Sequence, residues 1–219
     1  MAAGCFPVAD LFHTIQGEGS LAGVPSVFVR LAGCPVGCPW CDTKQAWSAE
    51  GFPRLTVERI TERVASYKCR HVVVTGGEPL VHPRIGSLID RFHDGGLHVT
   101  IETAGIVYRR LRCQLLSLSP KLDGEAPTFG NWFKPAVIRR LIAAAADYQL
   151  KFVVRSRRDV HQVLDAIERM KFIDRDRVML MPRAATKAAY LRLAPAVAGW
   201  ALAHGLRFCP RIHLTLGVR

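Results

Sequence analysis

Ser26-Val27-Phe28-Val29-Arg30-Leu31-Ala32-Gly33-Cys34-Pro35-Val36-Gly37-Cys38-Pro39-Trp40-Cys41 joins a short β-branched and aromatic run to three closely spaced cysteines. The run reads as a buried strand, Ser26 to Leu31, and the cysteines follow its C-terminal end. The same pattern recurs further along. His71 to Val74 ends in Thr75-Gly76-Gly77-Glu78-Pro79, Leu97 to Ile101 ends in Glu102-Thr103-Ala104-Gly105, and Cys113 to Leu118 ends in Ser119-Pro120-Lys121. Helical spacing marks Thr56 to Tyr67, Ile85 to Asp94, Pro135 to Tyr148, Val160 to Met170 and Lys187 to His204. Further strands are expected at Leu150 to Val154, Arg177 to Met181 and from Leu206 onward. Strands alternating with helices predict parallel pairing through crossovers, and fully apolar strands predict a sheet covered on both faces. About six such steps are too few for a closed eight-stranded barrel. The expected fold is therefore α/β: a partial (incomplete) TIM-type barrel of about six parallel strands with helices outside. An open doubly wound sheet is the alternative. In either fold ligands gather at the C-terminal ends of the strands, so the four tags would surround one site.

Working outward, the 219 residues show no composition break, linker or repeat, so residues 1–219 are read as a single domain. With 49% hydrophobic residues the chain can bury a sizeable core. No run approaches the roughly 18 apolar residues of a membrane span. Met1 to Asp10 has no basic n-region or long apolar stretch, so a cytoplasmic protein with reduced thiols is expected. Formal charge is +12, from 30 Lys and Arg against 18 Asp and Glu. Such an excess attracts anions. The basic residues are scattered, with short clusters such as Arg155-Ser156-Arg157-Arg158, and no nucleic-acid-binding pattern accompanies them. Neither a membrane nor direct nucleic-acid binding is expected.

Three residues separate Cys34 from Cys38 and two separate Cys38 from Cys41. Three is an odd number for a disulfide framework. Thiolates hold iron–sulfur clusters, usually one per iron, so three on a four-iron cubane leave one iron open to a small molecule. A structural zinc site normally has four ligands, and no fourth follows nearby; the next Cys is Cys69 and the next His is His71. Zinc with a distant fourth ligand stays open on spacing alone. Cys5, Cys69, Cys113 and Cys209 are isolated and read as small buried hydrophobes.

The other motifs each have a plainer reading. The paired glycines of Thr75 to Pro79 would let a ligand approach bare backbone, with Glu78 accepting from an ammonium, or they make an ordinary turn. Gln16-Gly17-Glu18-Gly19 is either a ligand-hugging segment or a hairpin turn. Arg30 lies inside an apolar strand, where a charge needs a partner: a substrate carboxylate or an internal acid. Asp42-Thr43 could offer oxygen to Mg²⁺ or cap the next turn. The eight His show no metal spacing.

Together these residues resemble the radical S-adenosylmethionine (SAM) superfamily and, more narrowly, the 7-carboxy-7-deazaguanine synthases of the queuosine pathway of tRNA modification. The resemblance rests on Phe12-His13-Thr14-Ile15-Gln16-Gly17-Glu18-Gly19, Val27 to Cys34, Cys41-Asp42-Thr43, Thr75 to Pro79, Glu102 to Gly105 and Ser119-Pro120-Lys121, in family order over roughly the first 120 residues. It implies a lyase in which Cys34, Cys38 and Cys41 hold a [4Fe–4S] cluster whose open iron binds SAM. Trp40, Gly77, Glu102, Ser119, Pro120 and Lys121 would line the SAM site. Ile15, Gln16, Gly17, Arg30 and Thr75 would contact 6-carboxy-5,6,7,8-tetrahydropterin, and Thr43 would help to hold Mg²⁺. The implied reaction is reductive cleavage of SAM, hydrogen abstraction, ring contraction and loss of ammonia. An electron donor such as flavodoxin or ferredoxin and a homodimer are implied as well. Departures from the family pattern are Ala104, where Asn is frequent; Met181-Pro182-Arg183-Ala184; and the tail from Leu214, which leaves His213 as a candidate contact only. Competing readings are a glycyl-radical-enzyme activase acting on a protein partner, and a non-catalytic iron–sulfur or zinc module.

Overall fold

The computed structural model describes residues 4–122 and 132–218. The chain opens with β1 (Cys5–Ile15), β2 (Pro25–Leu31) and β3 (Arg54–Thr56), followed by α1 (Val57–Ser66). There follow β4 (His71–Gly76), α2 (Ile85–Asp94), β5 (His98–Thr103), then β6 (Leu115–Leu118) with no helix between it and β5, and α3 (Pro135–Ala144). Next come β7 (Tyr148–Val154), α4 (Arg157–Arg169), β8 (Val178–Pro182), α5 (Lys187–Ala203), β9 (Arg207–Phe208) and α6 (Ile212–Leu216). The strands form one sheet in the order β3-β1-β2-β4-β5-β6-β7-β8-β9. From β2 to β9 every neighbouring pair is parallel, and β1 runs antiparallel to both β2 and β3. The two end strands do not pair with each other, so this is the expected open, mostly parallel barrel with helices outside.

Local chemistry sets the helix starts. Thr56, Ser156 and Thr186 each stand just before a helix and accept from the backbone N–H three residues on. Ser156 explains why α4 starts at Arg157 and not at Val160. Helix α2 runs over the expected Ile85–Asp94 and ends at a glycine pair, Gly96 having φ +74°.

Two strands were not anticipated. In β1, Pro7 and Asp10 interrupt the apolar pattern, and the pairing with β2 shifts register between Val8 and Asp10. The sequence therefore loses the alternation that announces a strand. β3 has three residues, too few for any periodic signal. The expected final strand is also shorter than read. It stops at Phe208, and the tail turns into α6. Pro210 has no N–H for a ladder, and the buried Arg211 is drawn into ion pairs with Glu18 and the half-exposed Asp42.

The core shows why the strands matter to the site. Val72, Val74, Ile101, Leu116, Leu118, Leu150 and Phe152 pack in one cluster with Ile60, Phe92, Ile138, Val163 and Val197 from α1 to α5. Each such fully buried side chain contributes about 1.5–3 kcal/mol. The residues between them point to the other face, because strand side chains alternate. There lie Thr75, Thr100, Ser117, Gln149 and Lys151, all buried and all polar. The helices cover the outer face, as expected, but the inner face carries buried polar side chains and lines a cavity, so the expectation of two covered apolar faces holds for one face only. No helix among the described residues is long and apolar enough to cross a membrane.

Candidate active site

One cavity of about 660 Å³ opens where the parallel strands end. The cysteine loop after β2, the tags after β4, β5 and β6, and the Gln16 to Glu18 segment after β1 all reach its wall. The tags after β2, β4, β5 and β6 thus meet at the edge that parallel topology favours for ligands, whereas the Gln16 to Glu18 segment follows an antiparallel strand, beside the start of β2, and reaches the same cavity from there.

The cysteine loop is held by its own backbone. Gly33 N–H donates to Ala46 O at 2.8 Å, Cys34 N–H to Trp47 O at 2.9 Å and Cys41 N–H to Cys38 O at 2.9 Å. Burial pushes the Cys34 thiol up, while N–H groups of Val36 and Gly37 pointing at its sulfur oppose the shift. Thr43 N–H donates to Cys41 Sγ at 3.3 Å. None of the three cysteines is in a disulfide, and all three line the cavity. Among the described residues no three His, Cys, Asp or Glu side chains gather closely enough to hold one metal ion. N–H donors aimed at the sulfurs of Cys34 and Cys41 suit thiolates that ligate a metal centre.

The glycine pair after β4 has a packing reason as well as a cavity. A Cβ on Gly77 would lie 2.4 Å from Gly33 O and 2.7 Å from Ala46 O, so the tag fits against the cysteine loop only without a side chain. Glu78 is not free to receive an ammonium. Its buried carboxylate accepts from Thr103 Oγ1 at 2.6 Å, Ala104 N–H at 2.7 Å and Leu80 N–H at 3.1 Å. Burial raises its carboxyl, and those donors counteract part of the rise. Glu78 ties the β4 and β5 tags together, through the Thr103 hydroxyl and the backbone N–H of Ala104. Lys121 Nζ folds back onto Ser119, to O at 2.7 Å and Oγ at 2.8 Å. The guanidinium of Arg183 lies over the Trp40 ring, 5.1 Å from its centre.

A chain of ion pairs crosses the cavity. Glu102 accepts from Thr75 Oγ1 at 2.9 Å, Lys151 Nζ at 3.2 Å and Gln16 Nε2 at 3.3 Å. Lys151 also donates to Glu18 Oε2 at 2.8 Å. Burial alone would lower the Lys151 ammonium, but Glu102 and Glu18 outweigh it and raise it. Glu18 also accepts from Arg211 Nε at 3.0 Å. Arg211 donates further to Asp42 Oδ2 and to Ala184 O. Asp42 Oδ1 accepts from Thr43 Oγ1 at 3.0 Å, and Thr43 Oγ1 accepts from Arg30 Nη1 at 3.0 Å. Arg211 also anchors the tail. Ile212 N–H donates to Gly17 O at 3.0 Å, and the His213 ring fills the space a Cβ on Gly17 would need. Burial lowers the His213 imidazole.

The structure brings Cys34, Cys38, Cys41, Trp40, Gly77, Glu102, Ser119, Lys121, Ile15, Gln16, Gly17, Arg30, Thr75 and Thr43 to one wall, with His213 beside them. Pro120 is buried but does not line the cavity. Lys151 and Arg211 were not read as site residues, and Glu18 and Asp42 were read only within their motifs, Glu18 in the Gln16 to Gly19 segment and Asp42 as an oxygen for Mg²⁺ or a turn cap. Lys151 carried the same signal as Arg30, a charge inside an apolar strand; Arg211 carried none.

Residues 29–120 match the Radical SAM superfamily model. The chain is 37% identical to the 7-carboxy-7-deazaguanine synthase of Halobacterium salinarum over 96% of this chain and 90% of that one. It is 38% identical to the enzyme of the same name from Rhodopirellula baltica, over 94% and 84% of the two chains. Among solved structures, QueE from Escherichia coli superposes with a TM-score of 0.71 at 27% identity, covering 94% of this chain and 93% of that one. Streptococcus suis SuiB bound to S-adenosylmethionine shares the fold, with a TM-score of 0.55 at 16% identity, covering 80% of this chain and 44% of that one.

Proposed function

The chain belongs to the 7-carboxy-7-deazaguanine synthase family of the radical SAM superfamily, and from that premise we propose that its cavity converts 6-carboxy-5,6,7,8-tetrahydropterin to 7-carboxy-7-deazaguanine with loss of ammonia. The single observation that carries this reading is the meeting of Cys34, Cys38 and Cys41 with Arg30, Gln16 and Glu102 around one cavity. When bound, the [4Fe–4S] cluster and SAM supply a 5′-deoxyadenosyl radical by one-electron cleavage of the sulfonium. Cys34, Cys38 and Cys41 hold the cluster. Gly77 offers bare backbone to SAM, and Trp40, Glu102, Ser119 and Lys121 complete its walls.

On the substrate side Arg30 presents a planar fork to the carboxylate. Ile15, Gln16, Gly17 and Thr75 enclose the ring. Lys151 stays an ammonium and Glu18 a carboxylate, so neither is a proton carrier; both fix the orientation of groups that touch ligand. Enclosure by the tail keeps water from a reactive radical. The same reading covers one radical SAM domain over residues 1–219, a cytoplasmic enzyme, a flavodoxin- or ferredoxin-like electron donor and a homodimer. Mg²⁺ at Thr43 is left out, because the residues around Thr43 do not fit it.

The test is anaerobic reconstitution, then incubation with SAM, a reductant and the pterin, with the product read by mass. About four irons per chain and a deazaguanine product are expected. SAM cleavage without pterin turnover, coupled to modification of a protein partner, would replace this reading with the activase.

A further inference from the structure

Two guanidinium groups occupy the surroundings in which the family resemblance puts a divalent cation. Thr43 Oγ1 accepts from Arg30 Nη1 and donates to Asp42 Oδ1, both at 3.0 Å. A hydroxyl has one proton and two lone pairs, so one lone pair is left. The other Asp42 oxygen accepts from Arg211 Nη2. Glu18, the next carboxylate along, is bound by Arg211 Nε at 3.0 Å and by Lys151 Nζ at 2.8 Å. Mg²⁺ requires near-octahedral oxygens at about 2.0–2.1 Å, usually with one or two carboxylates. Here both nearby carboxylates are already paired with cations. A dication on the last Thr43 lone pair would stand against Arg30 and compete with Arg211 for Asp42, where like charges repel.

We propose that Arg211 does the work of the divalent cation in this chain, so that substrate binds without Mg²⁺. Its guanidinium neutralises Asp42 and Glu18, leaving Arg30 to meet the substrate carboxylate unopposed. Arg211 is 6% exposed, its third arm reaches Ala184 O, and α6 begins directly after it, so the charge is fixed by the fold. A guanidinium keeps its charge at every pH of interest, whereas a bound ion depends on its free concentration. Arg211 is a positioning residue in this scheme. The inference rests on the proposed reaction.

The decisive comparison uses the reconstituted enzyme in buffer stripped of divalent ions by chelating resin, and in the same buffer with millimolar Mg²⁺. Substrate KM, and equilibrium binding of the pterin to the non-reduced enzyme, should agree within about twofold between the two buffers. Arg211→Gln keeps neutral donors and removes the charge. Its KM in stripped buffer should rise about tenfold, as for a lost charge-assisted hydrogen bond, and Mg²⁺ should recover part of the loss. A wild-type enzyme that needs Mg²⁺ for binding or turnover overturns the proposal, as does an Arg211→Gln enzyme with unchanged KM. Should that variant not fold, the wild-type comparison decides alone. Turnover only with Mg²⁺ leaves the proposed reaction standing. No turnover in either buffer refutes that reaction and takes this inference with it.

Discussion

Lys151 shows how much one residue contributes to this cavity. It is 3% exposed and sits between two carboxylates, Glu18 and Glu102. Removing one member of a buried pair leaves the other charge uncompensated, at about 3–5 kcal/mol. Lys151→Met is expected to lose that much in urea unfolding at neutral pH. Acid has a predictable sign. Burial alone would raise the Glu18 carboxyl, but Lys151 and then Arg211 outweigh it and hold it at about 2, against 4.5 in the unfolded chain. Its contribution is therefore complete above about pH 4.5 and is lost as pH falls towards about 2. The gap between wild type and Lys151→Met should narrow over that window, and a gap that is constant in urea midpoints from pH 5 to 2.5 would contradict the assignment. The cysteine spacing was legible at this scale because it is covalent and local. Lys151 was overlooked because its partners lie 133 and 49 residues away.

At the scale of elements, those with chemical punctuation were legible and those defined by pairing were not. Capping residues and glycine pairs mark α1, α2 and α5 within a residue or two. β1, β3 and α6 owe their shapes to neighbours. Helix α5 keeps one oddity, an interior proline. Pro195 lacks the N–H for an intrahelical bond and its ring crowds the carbonyl of Leu191, yet the helix runs unbroken from Lys187 to Ala203. Pro195 is exposed, so its ring is not needed by the core. Pro195→Ala is expected to stabilise the protein by roughly 1–3 kcal/mol. Thermal melts should show it as a rise of a few degrees; a lower Tm would mean that packing, not propensity, sets this helix.

Across the whole molecule the sheet and the tail have separable duties. The sheet ends at Phe208, before the segment that carries Arg211, His213 and Leu214 to the cavity wall. Truncation after Pro210 should leave about four irons per chain while pterin turnover falls by about a hundredfold or more. Amide exchange at residues 16–19 should rise too, since Ile212 N–H and Arg211 no longer hold that loop. Full turnover by the truncated chain would remove the tail from the site. By itself the sequence determined the alternation of strands and helices, the partial parallel barrel, the edge at which ligands collect and the thiol spacing for a cluster. All of these are written in residues close together in the chain, as periodicity, caps and turn chemistry. Only the tertiary structure decided the antiparallel strands, the polar inner face and the ion-pair chain from Glu102 to Arg30. Those depend on charges that find each other across as many as 193 residues, and their pairing is set by how the sheet curls and not by any local pattern.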